Sequence, residues 1–312
     1  MISKEAKLYI AGHKGMVGSS CWKALEKAGY KNLIGKTSKE LDLCNQKAVK
    51  EFICTEKPDV IIDAAARVGG ILANSKFPFE FLLENMLIQN NLIQSAHEFD
   101  VKKFIFLGSS CIYPKYSPQP IKEEFLLTSS LEPTNEWYAL AKISGVKLIQ
   151  ALNQEYGKQY VSLMPTNLYG PNDNFDLNTS HVLPAMIRKF HEAKENNNGS
   201  VQLWGTGSPM REFLHVDDLS KAIVFCLETP LEDHLYNVGY GSDISIKDLA
   251  ELIQKIVGHK GKILWDHSKP DGTPKKLIDS TKIQKKGWKP DIDLKNGIIS
   301  TYEFYLKTLN NR

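Results

Sequence analysis

The run KLYIAGHKGMVG, residues 7 to 18, restricts the fold more than any other stretch of this 312-residue chain. Leu8, Tyr9, Ile10 and Ala11 read as a short buried strand, and the segment after Gly18 reads as a helix ending near Gly29, a residue suited to a left-handed cap. Between them, Gly12 permits a tight turn, Gly15 lets backbone come close to a bound group, and Gly18 lets helix and strand pack tightly. Such a turn aims the helix N-terminus at an anion, the arrangement of a dinucleotide pyrophosphate site. An ordinary glycine-rich turn between strand and helix is the competing reading.

The chain beyond this first strand and helix repeats their pattern. Apolar runs at 32–36, 59–66, 103–108 and 160–170 predict further strands, with a short one at 41–43, and the segments 16–28, 45–56, 79–99 and 137–156 predict helices between them. Alternation of this kind calls for a parallel sheet covered on both faces, an α/β fold with a Rossmann-type doubly wound sheet. After Gly170 the texture changes to the polar PNDNFDLNTS, a helix at HVLPAMIRKFHEA and a surface loop at KENNNGS. REFLHVDDLSKAIVFCLE then reads as a strand end followed by a helix, and LYNVGYG as another strand. The predicted division is therefore interleaved: residues 1–170 plus about 210–240 in the dinucleotide domain, and about 171–209 plus 241–312 in a smaller α/β substrate-binding lobe.

Composition removes several function classes. Thirty-nine basic against 36 acidic side chains give a net charge of +3 with no long block of one sign, which argues against non-specific nucleic-acid binding. Cys21, Cys44, Cys54, Cys111 and Cys226 are odd in number and carry no CxxC spacing, so neither a disulfide framework nor a zinc site is expected, and a reducing cytoplasm fits. No signal peptide and no membrane span are expected.

The cofactor can be narrowed from the second strand. A carboxylate at its end would accept the ribose hydroxyls of NAD, but GKTSKE presents Lys36, Thr37, Ser38 and Lys39, with Lys14 in the glycine loop. Cations and hydroxyls suit a 2′-phosphate, so the expected cofactor is NADP(H).

Two further stretches carry chemistry. SSCIYP begins just beyond the 103–108 strand, on the edge where open α/β sheets bind ligands. In WYALAK, Tyr138 and Lys142 are four apart and share one helix face, an arrangement expected to lower the phenol pKa toward neutrality and make it a proton carrier. Chance alone would supply about one such spacing among 12 tyrosines, so the pair gains meaning from Ser109 at the strand end. Taken alone, Cys111 would be an ordinary buried cysteine and His181 a structural histidine.

AAARVGG (64–70), LGSSCIYP (107–114), EPTNEWYALAK (132–142), MPTNLYGPNDNF (164–175), SHVLPAMIRKFHEA (180–193), WGTGSPMREFLHVDDL (204–219) and WDHSKPDGTPKKLID (265–279) together resemble the extended short-chain dehydrogenase/reductase family, and within it the GDP-L-fucose synthases, over nearly the whole chain. The resemblance implies NADPH-dependent reduction of the C4 ketone of a GDP-4-keto-6-deoxy sugar after epimerisation at C3 and C5. It implies that Tyr138 gives a proton to the C4 oxygen, that Ser109 polarises that carbonyl and that Lys142 holds the nicotinamide ribose. Cys111 and His181 match the family's base and acid for epimerisation. Gly12, His13, Lys14, Gly15, Met16, Val17, Gly18, Ser38, Lys39, Leu107, Gly108, Ser109, Lys142, Pro165, Asn167, Leu168 and His181 match cofactor-facing positions, and Lys189, Trp204, Arg211 and Asp271 match contacts to the GDP-sugar. Arg211 is one of only four arginines, and its planar fork suits a diphosphate. No metal is implied, and a homodimer through the helices at 79–99 and 137–156 is.

Some positions depart from the pattern. Lys14 and Ser38 stand where arginines can serve the 2′-phosphate, Lys189 where an arginine can meet the substrate, and Trp137 replaces a smaller residue beside Tyr138. Two other readings use the same residues: a GDP-4-keto-6-deoxy-heptose C4-reductase that does not epimerise, and an NADP-binding regulatory protein without catalysis.

Overall fold

A computed structural model describes residues 1–269 and 271–310. In chain order the first half comprises β1 (Lys7–Ala11), α1 (Met16–Lys27), β2 (Asn32–Ile34), α2 (Gln46–Glu56), β3 (Val60–Asp63), α3 (Ile71–Lys76), α4 (Pro78–Glu98), β4 (Lys103–Leu107), α5 (Glu136–Tyr156) and β5 (Val161–Pro165). The second half comprises β6 (Asn167–Tyr169), α6 (Val182–Glu195), β7 (Ser200–Trp204), β8 (Met210–His215), α7 (Val216–Glu228), β9 (Leu235–Val238), β10 (Asp243–Ser245), α8 (Ile246–Val257), β11 (Lys262–Asp266), β12 (Lys275–Lys276), α9 (Thr281–Lys285) and α10 (Leu294–Asn310).

Six strands form a parallel sheet in the order β2-β1-β3-β4-β5-β9. Each central strand is buried along nearly its whole length, which is why those runs are apolar without a polar alternation. Side chains still alternate between faces. Tyr9, Ile61, Phe104 and Phe106 point into one core with residues of α2, α4 and α5, while Leu8, Ile10, Ile62 and Leu163 point into the other with residues of α1, α7 and α9. The strand order reverses between β1 and β3, so the glycine turn after β1 opens at the switch point of the sheet, where its carboxyl edge forms a crevice.

The chain leaves this sheet after β5 and returns to it at β9. In between it enters a second sheet, in which β8 lies beside β6, β10 and β12. A third core, with Leu183, Ile187, Phe190, Leu249, Ile253 and Tyr305, joins α6, α8 and α10.

The run at 160–170, expected as one strand, is two strands in two sheets. Thr166 separates β5 from β6, and its hydroxyl donates to the Glu212 carbonyl of β8 at 3.2 Å. The expected strand at 41–43 is a turn: the Asp42 carboxylate accepts the Cys44 N–H at 2.9 Å, and Leu41 is apolar because it anchors the loop in the core. The loop expected at 194–200 is shorter, since Glu195 still belongs to α6 and Ser200 already to β7. Among the described residues no helix is long and apolar enough to cross a membrane.

One buried side chain ties the sheet to the loop that leaves β4. The Asn237 side chain on β9 accepts the Tyr113 hydroxyl at 2.6 Å and donates to the carbonyls of Ile121 at 2.9 Å and Asp279 at 3.2 Å. Asn237→Ala leaves three buried polar groups without that partner, and we expect urea denaturation to show a loss of about 2–4 kcal/mol.

Candidate active site at the carboxyl edge of the sheet

The glycine turn shows where glycine is required by packing and where it leaves space. Gly12 has φ +75°, and a Cβ there would meet the Ala64 carbonyl oxygen at 2.8 Å. A Cβ on Gly18 would overlap the Gly12 carbonyl, whereas at Gly15 the nearest atom would be 3.4 Å away, so only the third face of the turn is open. Gly15 precedes the first turn of α1, which holds no acidic residue and leaves its N–H groups facing an anion site. His13, Lys14, Met16 and Val17 occupy the same turn and helix start.

Beyond β2 the chain exposes Ser38 and Lys39. The carboxylate of this loop, Glu40, is turned back on Thr37, accepting its N–H at 2.8 Å and its hydroxyl at 2.6 Å. Those hydrogen bonds, with smaller contributions from Lys36 and Lys14, lower its pKa. Lys14 and Lys36 thus reach the same point from two different loops. The residues present fit a dinucleotide with an extra phosphate on its ribose.

At the end of β4, Gly108 brings the chain against Met164 of β5, and Ser109 starts a 3-10 turn over Ser110–Ile112. The Ser109 hydroxyl accepts the Cys111 N–H at 3.2 Å, which fixes the two side chains on one strand end. Helix α5 is brought onto this edge by Gly145, where a Cβ would meet the Phe106 ring at 2.6 Å. One turn before it, the buried Lys142 Nζ lies 4.6 Å above the Phe106 ring and 5.9 Å from the Tyr138 ring, and donates to the Leu107 carbonyl at 2.9 Å. Leu107 and Gly108 therefore border the ammonium, with Pro165 at the end of the neighbouring strand β5. Asn167 and Leu168 lie in β6, where the Asn167 amide donates to the Glu212 carbonyl at 2.7 Å.

The expected effect of Lys142 on Tyr138 is reversed in the structure. Burial raises the Tyr138 pKa well above its ordinary value, with smaller contributions from Cys111 and Asp63, because Lys142 spends its short contact on a carbonyl and not on the phenol. A raised pKa favours the protonated phenol over the phenolate.

Cys111 has partners that its local sequence does not reveal. Lys276 Nζ lies 3.4 Å and Asn135 Nδ2 3.3 Å from its sulfur, so the thiol faces an ammonium and an amide donor. Lys276 comes from β12, 165 residues away, and Arg211 is close enough for Cys111 to act on its guanidinium. Burial lowers the Arg211 pKa, opposed by Cys111, Asp271 and Glu132.

His181 sits immediately before α6, where its segment packs on AAARVGG: the Gly70 N–H donates to the Thr179 carbonyl at 3.2 Å. The residue as a whole keeps open surface, yet the atoms crowded around its imidazole desolvate it and lower its pKa. Trp204 is 47% exposed at the end of β7, with Lys189 Nζ 5.8 Å and Lys269 Nζ 5.6 Å from its ring. A cation-flanked, exposed indole is a platform for a planar group. Asp271 accepts the Thr206 N–H and hydroxyl, both at 2.8 Å, and so braces the turn after Trp204. Trp137 is 41% exposed on α5. Among the described residues no group of three or more His, Cys, Asp or Glu side chains could hold a metal ion.

Sequence reasoning did not single out Asn135, Lys276, Lys269 or Asp63. The first two stand inside the stretches EPTNEWYALAK and WDHSKPDGTPKKLID, so their signal was present, but their pairing with Cys111 exists only in three dimensions. Replacing Lys276 by Met removes the ammonium from the sulfur, and we expect alkylation of Cys111 by iodoacetamide at neutral pH, followed by peptide mapping, to slow about tenfold.

Comparison with known proteins places this geometry. The sequence matches the NAD dependent epimerase/dehydratase family over residues 8–239. It is 54% identical over 312 residues to GDP-L-fucose synthase 1 of Arabidopsis thaliana, covering 100% of this chain and 97% of the relative. It is 49% identical over 311 residues to the GDP-L-fucose synthase of Escherichia coli K12, covering 96% and 97%. The fold superposes on a GDP-mannoheptose C4 reductase from Campylobacter jejuni solved with NADP bound, with a TM-score of 0.90, 38% identity and coverage of 98% and 100%. With a strand-end serine, a Tyr-Lys helix pair and a glycine turn at one sheet edge, the chain belongs to the NAD dependent epimerase/dehydratase family.

Proposed function

We propose that the protein uses NADPH to reduce the C4 ketone of a GDP-4-keto-6-deoxy sugar, after epimerisation at C3 and C5, giving GDP-L-fucose. The observation that carries this reading is the convergence of Ser109, Cys111, Tyr138 and Lys142 on one strand end, with Lys276 at the cysteine sulfur. Similarity to GDP-L-fucose synthases of a plant and a bacterium over almost the whole chain supports the substrate class.

The glycine turn, Lys14 and Lys36 would hold the phosphates of NADPH, Lys142 its nicotinamide ribose, and the cofactor supplies a hydride to C4. Ser109 and Tyr138 hold the C4 oxygen. Hydrogens at C3 and C5 are acidic because each flanks that carbonyl, and the Cys111 thiolate, held by Lys276, removes them as protons. Negative charge then gathers on the C4 oxygen, where the two hydroxyls stabilise it. His181 returns a proton to carbon from the other face, and the desolvation that lowers its pKa makes its imidazolium the stronger acid. In the reduction Tyr138 gives its proton to the C4 oxygen: its raised pKa keeps the phenol protonated until hydride transfer creates the more basic C4 alkoxide, which takes the proton. Arg211 and Lys189 would meet the diphosphate and Trp204 the guanine base, with Asp271 holding the turn beneath it.

A heptose C4-reduction without epimerisation is the second reading, favoured by the superposition on the C. jejuni C4 reductase. Exposed Phe79 and Leu83 on α4 and Leu140 on α5 support pairing of two copies through these helices, which are themselves joined by Gln89 donating to the Ser144 hydroxyl at 2.9 Å. Sedimentation equilibrium is expected to give twice the chain mass, and Leu83→Glu to give a monomer.

Turnover of GDP-4-keto-6-deoxy-mannose in deuterated water, with NADPH and NADH in parallel, tests the reaction. We expect faster consumption of NADPH and product carrying deuterium at C3 and C5. Tyr138→Phe should lose about 10²-fold or more in reduction, and Cys111→Ala should lose the deuterium. Reduction without deuterium would establish the C4-reductase reading.

A further inference from the structure

Asp63 ends β3 at the same sheet edge, and none of the steps above uses it. Its side chain is fully buried. It follows Ile61 on the face covered by α5 and pairs in register with Ala11 of β1 and Phe106 of β4. One carboxylate oxygen accepts the Ala65 N–H at 3.2 Å, while the other, Oδ2, has neither a hydrogen-bond partner nor solvent. A carboxylate placed this way in a central strand is costly unless a charge compensates it. The compensating charge lies over the residue paired with it: Lys142 Nζ, itself 2% exposed, sits 4.6 Å above the Phe106 ring and has a neutral carbonyl as its hydrogen-bond partner.

We propose that Asp63 is the counter-ion of Lys142, a positioning residue whose buried carboxylate keeps the ammonium charged at the sheet edge and so sets the proton inventory of the Tyr138-Lys142 pair. The proposal deepens the reductase reading, in which Lys142 faces the cofactor, but its test needs no sugar.

The electrostatics are reciprocal. Burial raises the Asp63 pKa to about 6 against the opposing pull of Lys142, and burial lowers the Lys142 pKa against the opposing pull of Asp63. The other titratable groups facing this pair are Tyr9 from β1, whose phenol Asp63 raises further, and Tyr138 from α5, on which both Asp63 and Cys111 act. A carboxyl raised in the folded state stabilises the fold fully at pH values below its unfolded value and loses that contribution as pH rises through about 6. At neutral pH the charged Asp63 therefore works against folding, and Asp63→Asn should be at least as resistant to heat at pH 8 as the wild type.

Lysine labelled with ¹³C at Cε reports the charge of Lys142 directly by NMR, with Lys142→Met identifying its resonance. In the wild type we expect that resonance to show, besides its own titration, a smaller inflection near pH 6 as Asp63 ionises. In Asp63→Asn and Asp63→Leu the inflection should vanish and the Lys142 midpoint should fall by about one pH unit or more, with NADPH binding, read by fluorescence, lost at correspondingly lower pH. An unchanged midpoint in a folded variant overturns the proposal, and so does a wild-type Lys142 resonance with no inflection near pH 6, which requires no Asp63 variant to fold. Absence of sugar turnover would reject the proposed reaction and leave these titrations standing.

Discussion

The hydrogen bond from the Lys142 ammonium to the Leu107 carbonyl holds the site together, because it can form only if α5 lies directly on the carboxyl end of β4. Gly145 makes that approach possible by leaving room for the Phe106 ring, and Gln89 holds α5 to α4 so that the approach is kept. Tyr138, one turn before Lys142, is thereby set beside the strand end that carries Ser109 and Cys111. A buried ammonium needs more than one carbonyl dipole, and the carboxylate of Asp63 on the adjacent strand is the charge placed to answer it.

The same edge draws its parts from distant elements. The glycine turn opens there because β1 and β3 flank the reversal in strand order, and the AAARVGG segment after β3 packs on both the Gly12 turn and the stretch of chain ahead of His181. From the other side, β12 delivers Lys276 to the cysteine, and β8 delivers Arg211. The cysteine thus receives its cationic neighbour from the second sheet, while the serine and tyrosine are set by the first. Reduction and epimerisation would share one carbonyl but depend on different sheets for their catalytic groups.

Much of the parallel sheet was legible in the sequence. Strands β1, β3, β4 and β5 are buried on both faces and therefore mostly apolar, a signal that survives without any contact information. The helices are read with similar ease, since α1, α4 and α5 begin and end within a residue or two of the limits that periodicity and glycine suggest. Legibility fails where the same local pattern serves two purposes. Leu41 is apolar as a loop anchor and not as a strand residue, and the run from 160 to 170 stays apolar although it changes sheets at Thr166, because both sheets bury it. Asp63 was hidden for the opposite reason: the apolar run read as a strand from 59 to 66 continues past it as Ala64, Ala65 and Ala66, so nothing local marks this one acidic residue as the buried end of β3.

By itself the sequence determined which residues could do chemistry and along which edge they would fall, because the glycine spacing, the strand-end serine and the Tyr-Lys interval are local properties of the chain. Only the tertiary structure decided their states. It raised the Tyr138 pKa by desolvating the phenol, drew Lys276 and Asn135 to a sulfur far from them in sequence, and turned Glu40 away from the role of ribose acceptor. A side chain's charge depends on desolvation and on the nearest opposite charge, and both are set by neighbours in space that need not be neighbours along the chain.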